Sequence, residues 1–137
     1  MTRTLILLSL SVVAAGCAKH ATAAGPGMND KREDALIKQA EPAINCKKDE
    51  MTVTFEQSIE SNYHVYRVDG CGQKYTSILH CTGPACSWIE GPEQAASVEL
   101  QCPVPQLSRT YANQIFTVSG CGRQKEFTLA KGKITAQ

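Results

Sequence analysis

The sequence predicts a mainly β fold: a small, disulfide-braced antiparallel β-domain of two hairpin repeats, in one sheet or a small sandwich, with a short N-terminal helix. Three observations support this class. Apolar residues alternate with a period of two from about residue 46 onward. Aromatic residues make up only 6% of the 137 residues, so the hydrophobic core is thin. Six cysteines in this stretch supply covalent bracing, namely Cys46, Cys71, Cys81, Cys86, Cys102 and Cys121.

The first sixteen residues have the organisation of an export signal. A basic start at Arg3 precedes the apolar run 5–13, and small residues follow up to Gly16. The run is shorter than the ~20 apolar residues that span a bilayer. The sequence therefore predicts that residues 1–16 are a cleaved signal peptide.

Cys17 directly follows this stretch, and Ala14-Ala15-Gly16-Cys17 resembles the lipobox of bacterial lipoproteins. The family most often has Leu where Ala14 stands. The resemblance implies cleavage before Cys17, a lipid on its thiol, and a membrane anchor in the bacterial cell envelope. Ala18, in place of Asp, implies the outer membrane. The alternative is an ordinary signal peptide, cut after Ala15 or within residues 21–23.

The charge of the processed chain argues against a nucleic-acid partner. Removal of residues 1–16 takes Arg3 from the 14 basic residues and leaves 13, equal to the 13 acidic residues. A domain without net charge has no electrostatic attraction to a polyanion.

A tether and a helix are predicted next. Residues 17–29 are small and polar and predict a flexible tether. Asp30 and Glu33 have capping-box spacing and predict a helix over 30–42, which Pro42 ends.

The rest of the chain predicts strands in a first repeat over 43–90 and a second over 91–137, with one compact domain over 43–131. Gly83-Pro84 and Gly91-Pro92 indicate turns. The predicted strands are 51–55, 63–68, 75–81, 98–102, 115–118 and 126–129.

An internal duplication predicts the disulfides. Residues 65–72 (VYRVDGCG) match residues 115–122 (IFTVSGCG). If Cys46 faces Cys71 across a hairpin, Met51 lies opposite Tyr66; if Cys102 faces Cys121, Leu107 lies opposite Phe116, an aliphatic–aromatic pair in both copies. The symmetry predicts Cys46–Cys71 and Cys102–Cys121, and by elimination Cys81–Cys86.

This arrangement resembles uncharacterised lipoproteins of the myxobacterial kind, in which a cysteine, Tyr-x-Val-x-Gly-Cys-Gly, an aromatic residue and often another cysteine recur. The resemblance covers roughly residues 46–130, and the second copy departs from it because no cysteine follows Phe127. It implies no activity. The first copy carries it on Cys46, Tyr66, Val68, Gly70, Cys71, Gly72, Tyr75 and Cys81.

Few residues are candidates for chemistry. His80, Cys81 and Cys86 include zinc-ligand types, but no fourth ligand lies nearby, and Cys-x4-Cys in an exported chain favours a bridged turn over a metal site or redox pair. His64 is either a general base or, as we expect, a surface residue of a strand. Trp88 either packs beside the Cys81–Cys86 turn or anchors a partner.

Three function hypotheses follow. The first is a non-catalytic envelope lipoprotein without cofactor, a binding or structural module for a protein or glycan partner. The second is an inhibitor of a periplasmic hydrolase such as lysozyme, based on Ser119-Gly120 and Lys131-Gly132. The third is a metal protein or enzyme that uses the residues His64, His80, Cys81 and Cys86.

Overall fold

The computed structural model describes residues 23–137. The predicted signal peptide, residues 1–16, and the lipidation site Cys17 lie outside the described residues. No helix in the described part is both long enough and apolar enough to cross a membrane.

The mainly β class is confirmed. The elements are α1 (Asp30–Ile44), β1 (Thr52–Glu60), β2 (Tyr63–Gly70), β3 (Gln73–Thr82), β4 (Ala85–Glu90), α2 (Pro92–Leu100), β5 (Ser108–Ala112), β6 (Ile115–Gly120), β7 (Arg123–Ala130) and β8 (Lys133–Ala136), with 3₁₀ turns at Lys48–Glu50 and Val104–Gln106.

The duplication extends over whole copies: each has a helix, a 3₁₀ turn and a four-stranded antiparallel meander. Strands β1 to β4 form sheet 1 and strands β5 to β8 form sheet 2, each in sequential order. The first copy is residues 30–90 and the second is residues 92–136. Two hairpins were predicted, and the fourth strand of each sheet was missed because both are short and half-exposed.

The predicted strand 98–102 is wrong, because these residues include the end of helix α2. Pro92 occupies the first turn of this helix, where its missing N–H loses no hydrogen bond. Gln101 ends it in the left-handed conformation, with φ 52°. Gly91-Pro92 therefore marks a helix start, although the sequence suggested a turn between strands.

Helix α1 exists as predicted but runs two residues further, and Pro42 lies inside it. Asn29 caps the helix, since its side chain accepts a hydrogen bond from the backbone N–H of Arg32 at 2.9 Å. Proline removes one backbone donor from the last turns. Burial of Ile44 against sheet 1 favours continuation past that position.

Residues 25–29 were predicted within the flexible tether, but the structure packs them on sheet 1. The Tyr66 hydroxyl donates to the carbonyl of Pro26 at 2.9 Å. Met28 packs against the core beneath α1. Gly27 lies against the Cys81–Cys86 disulfide, so closely that a Cβ there would stand 2.9 Å from the Cys81 sulfur.

The predicted hairpin registers are wrong in both copies, and by the same amount. Tyr66 lies opposite Phe55, not Met51. Phe116 lies opposite Tyr111, not Leu107. The cause is that Cys46 and its counterpart Cys102 belong to the loop after a helix and are not strand residues.

The disulfides nevertheless join the predicted pairs, Cys46–Cys71, Cys81–Cys86 and Cys102–Cys121. Cys71 and Gly72 have φ of 51° and 72° and form the two-residue turn between β2 and β3. Positive φ at both central residues is the hairpin geometry that fits strand twist. Each long-range disulfide therefore fastens a tight hairpin turn to the end of the preceding helix.

The two glycines around Cys71 should differ in their tolerance of substitution. Gly70→Asn is expected to lower the free energy of unfolding by about 1–3 kcal/mol, because a Cβ at Gly70 would stand 2.9 Å from the Cys46 sulfur and 3.0 Å from a backbone oxygen. Gly72→Asn is the matched control: its site is open, and asparagine accepts positive φ, so we expect under about 1 kcal/mol. Urea unfolding of both variants checks this. Equal losses would contradict the steric explanation.

Each helix covers what we call the inner face of its own sheet, and the opposite face is the outer face. Helix α1 and residues 25–28 cover the inner face of sheet 1. The outer face of sheet 1, with Tyr63, Val65 and Ile78, joins α2 and the inner face of sheet 2 in a second core cluster. The outer face of sheet 2 is free of other elements among residues 23–137.

Candidate binding groove

The structure does not assemble the predicted zinc ligands. Cys81 and Cys86 are bonded to each other. His80 neighbours Cys81 in β3, so the two side chains point to opposite faces of the sheet. The His80 ring stacks on Tyr63 with centroids 4.4 Å apart. Among the described residues, Cys46, Glu50 and Cys71 also bring ligand atoms together, but both sulfurs belong to a disulfide and are not thiolates.

His64 is buried, which corrects the prediction of a surface histidine. It is 8% exposed, and its Nδ1 lies 2.9 Å from the Ser58 hydroxyl oxygen. Burial lowers the pKa of His64 below its ordinary value. A nucleophile–base pair is usually oriented by a third group. No carboxylate in residues 23–137 forms a hydrogen bond with His64.

The two stretches that suggested a hydrolase inhibitor are separated. Gly120 precedes β7 and Lys131 follows it, so they lie at opposite ends of one strand. The Gly132 N–H donates to the Tyr63 hydroxyl at 3.1 Å, which docks this turn against sheet 1. The two stretches therefore do not form one loop surface.

A groove of about 290 Å³ opens between helix α2 and the edge strands β4 and β8. Phe127 belongs to its lining and is almost completely buried. Most of the remaining lining is apolar, and two glutamates are the charged members. The lining residues are Ile89, Glu90, Gly91, Pro92, Ala95, Glu99, Phe127, Ile134 and Ala136.

In the first copy, Trp88 occupies the position equivalent to Ile134 in the groove. Trp88 pairs with Leu79, and Ile134 pairs with the equivalent residue Leu129, fifty positions later. The Trp88 ring packs edge-on against Tyr66 with centroids 5.5 Å apart. Its indole N–H donates to the carbonyl of Arg32 in α1 at 3.0 Å. Trp88 is thus half-buried and joins β4 to α1. The sequence predicted packing beside the Cys81–Cys86 turn, and the structure places Trp88, Cys81 and Cys86 against the same core cluster.

Helix length also differs between the copies. Helix α1 has 15 residues and α2 has 9, although both end two residues before a bridged cysteine. The missing residues are therefore at the N-terminal end of α2. That end corresponds to the part of α1 with which Trp88 forms its hydrogen bond. A short helix and Ile134 in place of tryptophan leave the groove open.

The rim of the groove is acidic. Glu90 is exposed and forms no salt bridge within residues 23–137. Glu99 is 43% exposed at its side chain and lies 3.0 Å from the Lys125 amine. Two carboxylates and one amine leave the rim with a net negative charge.

The chain matches no protein family, no curated protein and no solved structure. The groove was not predicted from the sequence, because helix α2 and strand β8 form its walls and neither element was predicted. A comparison of Trp88 with Ile134 could have pointed to it, but only with the correct strand pairing.

An ion-pair network links the two copies. Arg109 of β5 forms ion pairs with Glu93 of α2 and with Glu56 of β1, the latter at 2.6 Å. The side chains of Arg109 and Glu93 are only 8% and 3% exposed. Burial raises the pKa of Glu93 above its ordinary value, and the Arg109 charge opposes this shift.

The raised pKa makes the stability contribution of Glu93 depend on pH. The Glu93 carboxyl binds its proton more tightly in the folded chain than in the unfolded chain, whose pKa is near 4.5. Its contribution to stability is therefore fully present below pH 4.5, and it is lost as the pH rises through the higher pKa of the folded state. The variant Glu93→Gln cannot titrate. We therefore expect its stability relative to the original chain to increase with pH above about 4.5.

Urea unfolding of both proteins between pH 4 and pH 8 measures this difference. Glu99→Gln, at an exposed position of the same helix, is the control. A difference for Glu93→Gln that stays flat or falls as the pH rises would contradict the expectation.

Proposed function

We propose that the protein is an envelope lipoprotein, lipid-anchored at Cys17, whose braced β-module binds a protein partner through the groove without catalysis. The observation that carries the binding proposal is the difference between the copies. The first copy fills the space between helix and sheet with Trp88, and the second leaves it open beside Ile134. A rigid, mostly apolar concavity with a few polar groups is the common form of a recognition site.

The lipid anchor would keep the module near the membrane. The Ala23 N–H donates to the Glu33 carboxylate at 2.5 Å, which ties this end of the chain to α1. The six residue steps from Cys17 to Ala23 span at most about 3.6 Å each, so Cys17 would lie within roughly 22 Å of the module. The second copy packs on the outer face of sheet 1, away from residues 25–28. The groove would therefore be on the side of sheet 1 opposite the anchor.

The anchor is tested by intact-mass measurement of the protein extracted from membranes. We expect a chain that begins at Cys17 and carries acyl groups. The variant Cys17→Ser should remain unlipidated and keep its signal peptide. A soluble chain cut after Ala15, or at residues 21–23, would contradict the anchor.

The binding role is tested with a photo-crosslinking residue at Ala95, which is exposed and lines the groove. The control places the same residue at Ala112, exposed on the outer face of sheet 2. We expect one defined protein adduct from position 95 in living cells, which re-forms with the purified partner. No adduct at position 95, or the same adduct from both positions, would overturn the proposal.

A further inference from the structure

We infer that the groove receives an aromatic side chain from a partner segment that also carries basic residues. The inference rests on the proposed function and specifies the chemistry of the partner. Its basis is that the first copy shows what fills the equivalent space, while the rim of the second copy has the charge that would attract lysine or arginine.

The first copy contains an internal example of the occupant. Trp88 lies between sheet 1 and the N-terminal part of α1, edge-on to Tyr66, and its N–H is satisfied by a helix carbonyl. In the second copy, Phe127 and Ile134 line the corresponding space. Aromatic rings bury large areas, 150–250 Å², with little conformational entropy to lose. Such a ring suits the groove, because Ile134 has neither the size nor the donor of the indole.

The rim determines which aromatic segment is favoured. Glu90 has no salt-bridge partner in the described part of the chain, and Glu99 forms a salt bridge with Lys125. These carboxylates can accept a hydrogen bond from an indole N–H, which replaces the helix carbonyl that Trp88 uses. They also attract lysine or arginine on either side of the aromatic residue, so an acidic segment would be disfavoured.

The most direct test fills the groove from within. The variant Ile134→Trp places an indole at the position equivalent to Trp88, on the inner face. The matched control Thr135→Trp adds the same side chain to the outer face, since neighbouring strand residues point to opposite faces. Both variants are checked for folding by thermal unfolding and by the absence of free thiols.

The probe is the peptide acetyl-Lys-(5-fluoro-Trp)-Lys-amide, whose ¹⁹F line width reports binding to the full processed protein in detergent. We expect broadening with the original chain and with Thr135→Trp, and at least a tenfold weaker effect with Ile134→Trp. The same peptide with glutamates in place of lysines should bind at least fivefold more weakly. Glu90→Gln should reduce this preference.

The outcomes separate this inference from the proposed function. Binding that is unchanged by Ile134→Trp, or equal for the lysine and glutamate peptides, would overturn the inference. No binding of the lysine peptide, combined with a groove-specific adduct at Ala95, would also overturn it while the proposed function stands. If the lysine peptide does not bind and position 95 gives no adduct, both the inference and the proposed function are overturned.

Discussion

Replacing Phe116 with alanine is expected to lower the free energy of unfolding by about 3–5 kcal/mol. Phe116 is completely buried on the inner face of sheet 2, where it packs in the core cluster that joins the two copies. The centroid of its ring lies 4.7 Å from the centroid of the Tyr111 ring. Removal of the ring leaves a cavity between the sheet and helix α2, and the disulfide Cys102–Cys121 limits collapse around it. Urea unfolding with intact disulfides measures the loss.

The neighbouring residue provides the control for Phe116. Ile115 lies on the outer face of sheet 2 and is only half-buried. Ile115→Ala should lower the free energy of unfolding by roughly 1 kcal/mol, because few methyl groups leave an apolar environment. Similar losses at both positions would mean that the outer face of sheet 2 is covered in the protein, in contradiction to the described fold.

The second large effect concerns the disulfide between Cys46 and Cys71. The double variant Cys46→Ala/Cys71→Ala opens a loop of 25 residues and is expected to lower the free energy of unfolding by about 3.5 kcal/mol in the chain-entropy model. The matched variant Cys81→Ala/Cys86→Ala opens a loop of only 5 residues and should lower it by about 2 kcal/mol. Urea unfolding of the three proteins tests the order, and the reverse order would contradict it.

The same disulfide variant also has a local effect that loop entropy does not include. Cys71 adopts a left-handed conformation in the β2–β3 turn, and Cys46 is buried beneath it at the end of α1. Without the bond, the turn is no longer fastened to the helix. Amide hydrogen exchange should therefore increase first at positions 71 and 72, and strand β1 should follow.

The outer faces of the two sheets differ in polarity. Val65, Ile78 and Ile89 lie side by side on the outer face of sheet 1 and face the second copy. The equivalent residues of sheet 2 are Ile115, Thr128 and Thr135, and no other element within residues 23–137 covers them. The two threonines make this face more polar than the outer face of sheet 1, while they retain the β-branched side chains that favour strands.

Several features of the fold could be predicted from local patterns. The period of two indicates strands wherever one face of a sheet is buried and the other is partly exposed, as in β6. The match between residues 65–72 and 115–122 reflects identical turns, with Cys71 and Cys121 at the same positive φ. The cysteine pairs follow from that symmetry. This prediction holds although the assumed hairpin register was wrong, because in both copies the first cysteine follows the helix and the second lies in a hairpin turn that reaches it.

Other features depend on contacts between distant segments. Val98 and Leu100 fit a strand pattern, but burial of Leu100 between the sheets favours helix α2. Burial of His64 results from its place in sheet 1, opposite Ser58 and Leu79. Residues 25–29 have the composition of a linker, yet the Tyr66 hydroxyl and the Cys81–Cys86 disulfide hold them in place.

The sequence by itself determined the β class, the duplication and the partner of each cysteine, because these properties follow from local periodicity and from symmetry between copies. Only the tertiary structure decided which space between helix and sheet is filled and which is open. Trp88 closes that space in the first copy through a helix turn that the second copy lacks, and Ile134 leaves it open. The outcome depends on the lengths of α1 and α2 and on packing across more than fifty residues, which no local pattern encodes.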